Sequence, residues 1–251
     1  MPSRSRRAAA DRPEAYAVCG RYSLAMPDPG SLRARFPIGE SIEVQTRYNV
    51  APGDEVLAVT TDREGRPRGD MLRWGLVPSW AKSPDTGLKM INARLETATE
   101  KPAFRRSFER FRCLIIADGF YEWRRGPSPT GGPKQPFHIT RTDAQLFAFA
   151  GLWSIWHAED GDTLRTCTIL TTAANDAIAS LHDRMPVILD PGAESAWLDL
   201  ATPRSELREI LLGLPAASTG VTEVGFAVND ARYDGPECLA PPAPSAQEAL
   251  F

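Results

Sequence analysis

Apolar residues along the chain gather in short β-prone runs separated by glycine, proline and charge, with helical spacing in only a few places. Residues 54–77, DEVLAVTTDREGRPRGDMLRWGLV, set two apolar runs around a Gly/Pro/charged turn and predict a hairpin. The stretch CLIIADGFYEW predicts a buried strand, a bend at Asp118-Gly119 and a second strand carrying Glu122 between two aromatics. Further strands are expected at PFHIT, QLFAFAGLW, RTCTILTTAA, VIL and around TEVGFAVN. Phe104, Phe108 and Phe111 recur at i, i+4, i+7, which marks an amphipathic helix with Pro102 in its first turn. GSLRARF, NDAIASL, ESAWLDL and SELREILLG predict other short helices. With no internal repeat or central linker, this order predicts a single α+β domain with a mostly antiparallel sheet core.

Composition narrows the class. Of 251 residues, 42% are apolar and 24% charged, as in ordinary globular domains. No apolar run approaches a membrane span. The first 17 residues carry four arginines against Asp11 and Glu14, a surplus of +2, so the net charge of −3 leaves about −5 for the remainder. That is no global footprint for nucleic acid, although arginines do cluster around the motifs below and leave room for a local basic groove. Residues 1–18 lack the apolar stretch of a secretory signal and are expected as a disordered leader, with the protein cytoplasmic. Cys19, Cys113, Cys167 and Cys238 show neither metal-ligand nor disulfide spacing, so neither a metal nor another cofactor is expected. Cys113 and Cys167 lie in apolar strands and Cys238 in a Pro-rich tail expected from residue 233 to 251. Cys19, in AVCGRYSL, has a context that is neither core nor tail.

A few residues stand out chemically. His138 reads as a strand residue facing solvent or a polar partner, and His157 as part of a solvated acidic turn. His182 opens HDRMP, where Asp183 and Arg184 crowd one turn with charge. Glu122 has two readings. Burial between aromatics would raise its pKa and suit it to proton transfer, whereas strict alternation would turn it to water. Asn92 and Arg94, one residue apart, would share a strand face and could clamp a phosphate or a sugar oxygen. Trp74 and Trp80 are core anchors or exposed aromatics; aromatics beside arginines suit single-stranded nucleic acid.

The segments CGRYSL, YNVAP, RWGLVPSWAK, INARLETATEKPAFR, RCLIIADGFYEW, FAFAGLW and TTAANDAIASLHDRMPVIL occur in this order. Through them the chain closely resembles the SOS-response-associated peptidase (SRAP) family, from Cys19 to about Val228. The resemblance implies a barrel-like sheet flanked by short helices over residues 19–232. It also implies a sensor that crosslinks to abasic sites in single-stranded DNA and shields them during the damage response. Cys19 would be the nucleophile, with Asn92, Glu122 and His182 completing the active site. Arg21, Asn49, Pro52, Arg94 and Thr171 would line the DNA groove, and Trp80 would join them from a variable loop. Peptidase and lyase-type Schiff-base chemistry also come with the family.

The chemistry requires Cys19 to be N-terminal, because an α-amine and a thiol on one residue can close a thiazolidine on an aldehyde. The family pattern is Met-Cys-Gly-Arg, and here Val18 precedes the cysteine. A GTG start at position 18, followed by removal of the initiator, is the favoured origin of the free amine; cleavage before Cys19 is the other. Competing expectations are an N-terminal-nucleophile cysteine peptidase or amidohydrolase, and a non-catalytic single-strand binding module. The protein is expected to be monomeric, without membrane partners, and to join the nucleoid when bound to DNA.

Overall fold

The computed structural model describes residues 19–25, 28–124 and 134–243. The expected leader, most of the loop after Trp123 and the last residues of the tail lie outside them. The chain runs through β1 (Arg21–Leu24), α1 (Pro29–Arg35), β2 (Arg47–Val50) and the hairpin of β3 (Glu55–Thr61) and β4 (Pro67–Trp74). A long loop leads to β5 (Asn92–Arg94), α2 (Leu95–Ala98) and α3 (Arg105–Arg110). Five strands follow: β6 (Arg112–Ala117), β7 (Gly119–Arg124), β8 (Gln135–Arg141), β9 (Phe147–His157) and β10 (Thr163–Ala173). The remainder is β11 (Arg184–Pro186), β12 (Ile188–Leu189), α4 (Glu194–Leu198), α5 (Arg204–Ile210) and β13 (Thr219–Glu223).

Five strands close a ring, in which β4 pairs with β3, β3 with β6, β6 with β9, β9 with β10, and β10 returns to β4. Only the β10–β4 closure is parallel. A second, wholly antiparallel sheet has the order β13-β8-β7-β1-β2. The α+β expectation, with a mostly antiparallel and barrel-like core, is the architecture found. Within the ring, β6 is buried on both faces, which is why RCLIIA reads as a continuous apolar run, whereas β4 alternates buried and more exposed positions. One face packs Val56, Leu72, Trp74, Ile115 and Phe149 against Tyr22, Val50, Phe120 and Ile139 of the second sheet. The other packs Leu57, Leu114, Ile116 and Ala150 against Leu32, Phe108, Trp197 and Leu207 of the helices. Burying each such large apolar side chain contributes about 1.5–3 kcal/mol before entropy is counted.

The bend between β6 and β7 carries the chain from one sheet to the other. Asp118 fixes it by accepting from the Ser23 hydroxyl (2.6 Å) and the Ala25 N–H (2.6 Å). With its one proton given to Asp118, Ser23 must accept from His138 Nε2 at 2.8 Å. His138 therefore has its polar partner, and burial holds its pKa down to about 4. Gly119 beneath it is required, since a Cβ there would overlap the imidazole.

Several local expectations are corrected. Residues NDAIASL form successive turns, because Asn175 Oδ1 takes the N–H groups of Ala177 and Ile178 while its amide donates to Leu214 O and Thr219 Oγ1. α3 starts at Arg105, so Pro102 lies in the turn before it; Phe104 and Phe108 still face the core. The last strand ends at Glu223, and Phe226–Asn229 forms a 3₁₀ turn.

The tail boundary moves as well. Residues 226–240 make a strap of two 3₁₀ turns, burying Val228 and Cys238 with Tyr121 on the outer face of the second sheet. Asp234 accepts from the N–H groups of Tyr48 (2.6 Å) and Asn49 (2.8 Å) and pairs with Arg47. Asn49 donates to the carbonyls of Val228, Asp230 and Tyr233. Proline content suggested a tail, but these edge contacts make the segment part of the fold. Asp234→Ala is expected to lower stability by about 1–3 kcal/mol, since it strands two backbone donors and leaves Arg47 with Asp54 alone; urea unfolding measures it.

Candidate active site

β1 lies beside β7, with Arg21 opposite Tyr121. This register brings the Cys19 nitrogen onto the side chain of Glu122, where the N–H donates to Oε1 at 2.6 Å. Cys19 has φ +45°, a left-handed conformation costing a non-glycine residue roughly 1–2 kcal/mol. It is fully buried, in the cluster that holds Tyr22, Trp74 and Ile178, so the expectation that it stands apart from the core is corrected. Burial, followed by the charge of Glu122, pushes its thiol well above the usual range.

Glu122 is 2% exposed. Burial pushes its carboxyl up to about 8, against the lowering effect of the Cys19 N–H and with a further rise from the charge of Asp183. Simple alternation fails here for a visible reason. The strap covers the Tyr121 face of β7, so both faces of the strand are enclosed.

β5 runs parallel to β10, with Asn92 opposite Ile169 and Arg94 opposite Thr171. Trp74, resolved as a core anchor, donates its indole N–H to Ile91 O (2.9 Å) and so fixes the residue before Asn92. Asn92 is half-buried and Arg94 exposed. Thr171 is buried, and its carbonyl (2.6 Å) and hydroxyl (3.4 Å) accept from Arg184. Arg184 also makes a bidentate pair with Glu96, at 2.7 and 2.8 Å. Neither Arg184 nor Glu96 was singled out from sequence as a site residue. The available signal was position: each lies two residues beyond a candidate, in NARLE and HDR.

His182 Nδ1 lies 3.0 Å from the Arg184 N–H and 2.8 Å from Asp183 Oδ1. The first contact needs a lone pair on Nδ1 and the second a proton, so only one of them is made at a time. Asp183 adds a smaller rise to the pKa of Glu122 after burial.

Arg21 and Asn49 meet each other (3.0 Å), and both are tied to Val228 O. Pro52 is half-buried in the turn after β2. Trp80 is 63% exposed on the loop between β4 and β5. Among the described residues, no three His, Cys, Asp or Glu side chains cluster as metal ligands, and no helix is long and apolar enough to cross a membrane.

The family model described as SOS response associated peptidase (SRAP) matches residues 18–231. The chain belongs to the SRAP family. It is 43% identical over 228 residues to the abasic site processing protein YoaM of Bacillus subtilis, covering 88% of this chain and 97% of that protein. It is 34% identical over 234 residues to the abasic site processing protein YedK of Escherichia coli, covering 89% and 100%. A crystal structure of a Bacteroides thetaiotaomicron protein superposes with a TM-score of 0.78 at 22% identity, over 90% of this chain and 100% of that one, and shares the fold. A phage-related protein from Bordetella bronchiseptica gives a TM-score of 0.65 at 30% identity, over 82% and 94%. The SRAP match begins one residue before Cys19, so the cysteine and its glutamate both lie within the family's extent.

Proposed function

We propose that this SRAP protein processes abasic sites in single-stranded DNA by capturing them covalently on Cys19. One observation carries the reading: the Glu122 carboxyl lies against the Cys19 nitrogen at 2.6 Å, in a buried site. With Cys19 N-terminal, that nitrogen is an amine of ordinary pKa about 7.7–8.0. Glu122 takes the ammonium proton, and the freed lone pair attacks the C1′ aldehyde of the opened sugar. Protonated Glu122 or His182 returns a proton to the carbinolamine hydroxyl, and water leaves the imine. The thiol then adds across C=N, forming the C–S bond and returning a proton to nitrogen, which closes a five-membered thiazolidine. Asn92 holds a sugar oxygen in line. Arg94, exposed at the end of β5, grips a flanking phosphate, while Arg184 is committed to Glu96 and Thr171 and braces the site from beneath.

In the 251-residue chain Cys19 is joined to Val18 by an amide, which forms no imine. Initiation at position 18 supplies the amine. A second reading, self-release, is favoured by the left-handed φ of Cys19 and by the placement of Glu122 on the amide nitrogen. There the thiol attacks the Val18 carbonyl, Glu122 protonates the departing nitrogen, and water hydrolyses the thioester.

The test mixes a chain beginning at Cys19, and separately the 251-residue chain, with an oligonucleotide bearing one abasic site. A denaturant-resistant adduct is expected immediately with the first. With the second it is expected only as mass spectrometry shows residues 1–18 being lost. No adduct with a verified N-terminal cysteine overturns covalent capture.

A further inference from the structure

The loop between β4 and β5 spends most of its length holding one residue in the open. At its base the backbones of Gly75 and Gly87 cross closely; Gly75 has φ +120°, and a Cβ there would lie 2.7 Å from Gly87 O. Gly75 and Leu76 donate their N–H groups to Cys167 O (2.8 Å) and Met90 O (3.1 Å), and Val77 donates to Thr166 Oγ1 (2.8 Å). The tip turns at Pro78–Ala81, where Ala81 N–H donates to Pro78 O (2.9 Å). Outside the turn, Trp156 on β9 donates its indole N–H to Ala81 O at 2.7 Å. Trp80 sits inside this pinned turn, and its ring is directed to solvent.

A single exposed aromatic is common on protein surfaces, but this one is held outward by a turn whose backbone is itself bonded to the ring of strands, which keeps its face available to a ligand. Lys82 and Lys89 outnumber Asp85 among the exposed charges of the same loop, a small positive balance that favours an anionic occupant with flat apolar faces. A base in a single DNA strand has that chemistry. The loop also returns to Ile91 and Asn92, so platform and reaction site are two ends of one clasp.

We infer that Trp156 is a positioning residue, whose indole pins the loop so that Trp80 meets a base of the bound strand as a preformed platform. This rests on the proposed reading of the site as a binder of single-stranded DNA. Stacking on a mobile tryptophan would first have to order it, so the pin converts into affinity.

The experiment uses the chain beginning at Cys19 and a single-stranded oligonucleotide carrying a tetrahydrofuran abasic analogue, which binds but cannot open to an aldehyde. Trp80→Ala is expected to raise Kd about tenfold. Trp156→Phe, which keeps the ring and removes the donor, should raise it about fivefold. Because Trp156 acts through Trp80, the double variant should match Trp80→Ala alone. With a natural abasic site, the loss should fall on the half-saturating DNA concentration and spare the capture rate at saturation. In DNA-free Trp156→Phe, amide exchange should quicken over residues 76–83 and stay unchanged in β6 and β9. Wild-type binding by Trp156→Phe, or additive losses in the double variant, would overturn the inference. So would self-association of the protein that Trp80→Ala abolishes, which would assign the platform to a second copy of the chain. No binding by the unsubstituted protein would remove the proposed function itself, a result distinct from a wild-type-like Trp156→Phe.

Discussion

Cys19→Ser, in a chain that begins at residue 19, is expected to reduce the denaturant-stable DNA adduct at least about 100-fold. The serine variant keeps the α-amine against Glu122, so it still forms an imine, which borohydride reduces to a permanent link. What it loses is the thiol that closes the ring. Acetylating the amine of the cysteine protein should remove both the stable adduct and the borohydride-trapped one, because an amide nitrogen has no lone pair to offer the aldehyde. The two perturbations separate the roles of nitrogen and sulfur on a single residue. A thiazolidine-strength adduct from the serine variant, or from the acetylated protein, would show that another nucleophile does the work.

Glu122→Gln should produce opposite changes in activity and stability. Capture is expected to slow about 100-fold, since the group that carries the amine's proton is gone. In the 251-residue chain, however, the same substitution should stabilise the fold increasingly as pH rises. Glu122 titrates at about 8 in the folded protein and near the ordinary carboxyl value of about 4.3 when unfolded. Below about pH 4 both states hold the proton, and the carboxyl costs nothing. Between about 4 and 8 the unfolded chain ionises while the folded one does not, so native stability falls with each pH unit. Above about 8 both are ionised, and the full cost, on the order of 4–5 kcal/mol, is in place. Glutamine does not titrate and escapes this loss, so urea midpoints of variant and parent should separate between pH 5 and pH 8. In a chain beginning at Cys19 the gap should shrink, because the α-ammonium pairs with the carboxylate and keeps it charged. A glutamine variant of the long chain less stable than its parent at pH 8 would contradict the buried-acid picture.

Much of the architecture could be read locally. The β3–β4 hairpin, the paired strands around Asp118 and the inward-facing Phe104 and Phe108 follow from turn chemistry and periodicity, which act over neighbouring residues. Glu122 shows where that reading ends. Its orientation depends on Val228 and Cys238 covering the opposite face of its strand, and no window around GFYEW contains them. Asp234 escaped notice for a related reason: proline-rich composition signals a tail, while a single aspartate capping a strand edge has no pattern of its own. NDAIASL had helical spacing, but Asn175 satisfied the turn with its side chain before a helix could propagate. The partnership of Cys19 with Glu122 joins residues 103 apart and was legible only through the family resemblance. Trp156 drew no reading from sequence, because its indole bond reaches the loop of Trp80 across 75 residues.

The tie between Arg21 and Val228 spans 207 residues of chain. Synthesis on the ribosome delivers these partners in a fixed order, with the nucleophile's strand first and its last fastening almost at the end. A nascent chain therefore carries Cys19 through 103 further residues before its glutamate is made, and for longer still without the strap that encloses that glutamate's strand. Folding of the cysteine's surroundings therefore waits on segments made long after it, and the enclosure of Glu122 is a late event in the life of the chain.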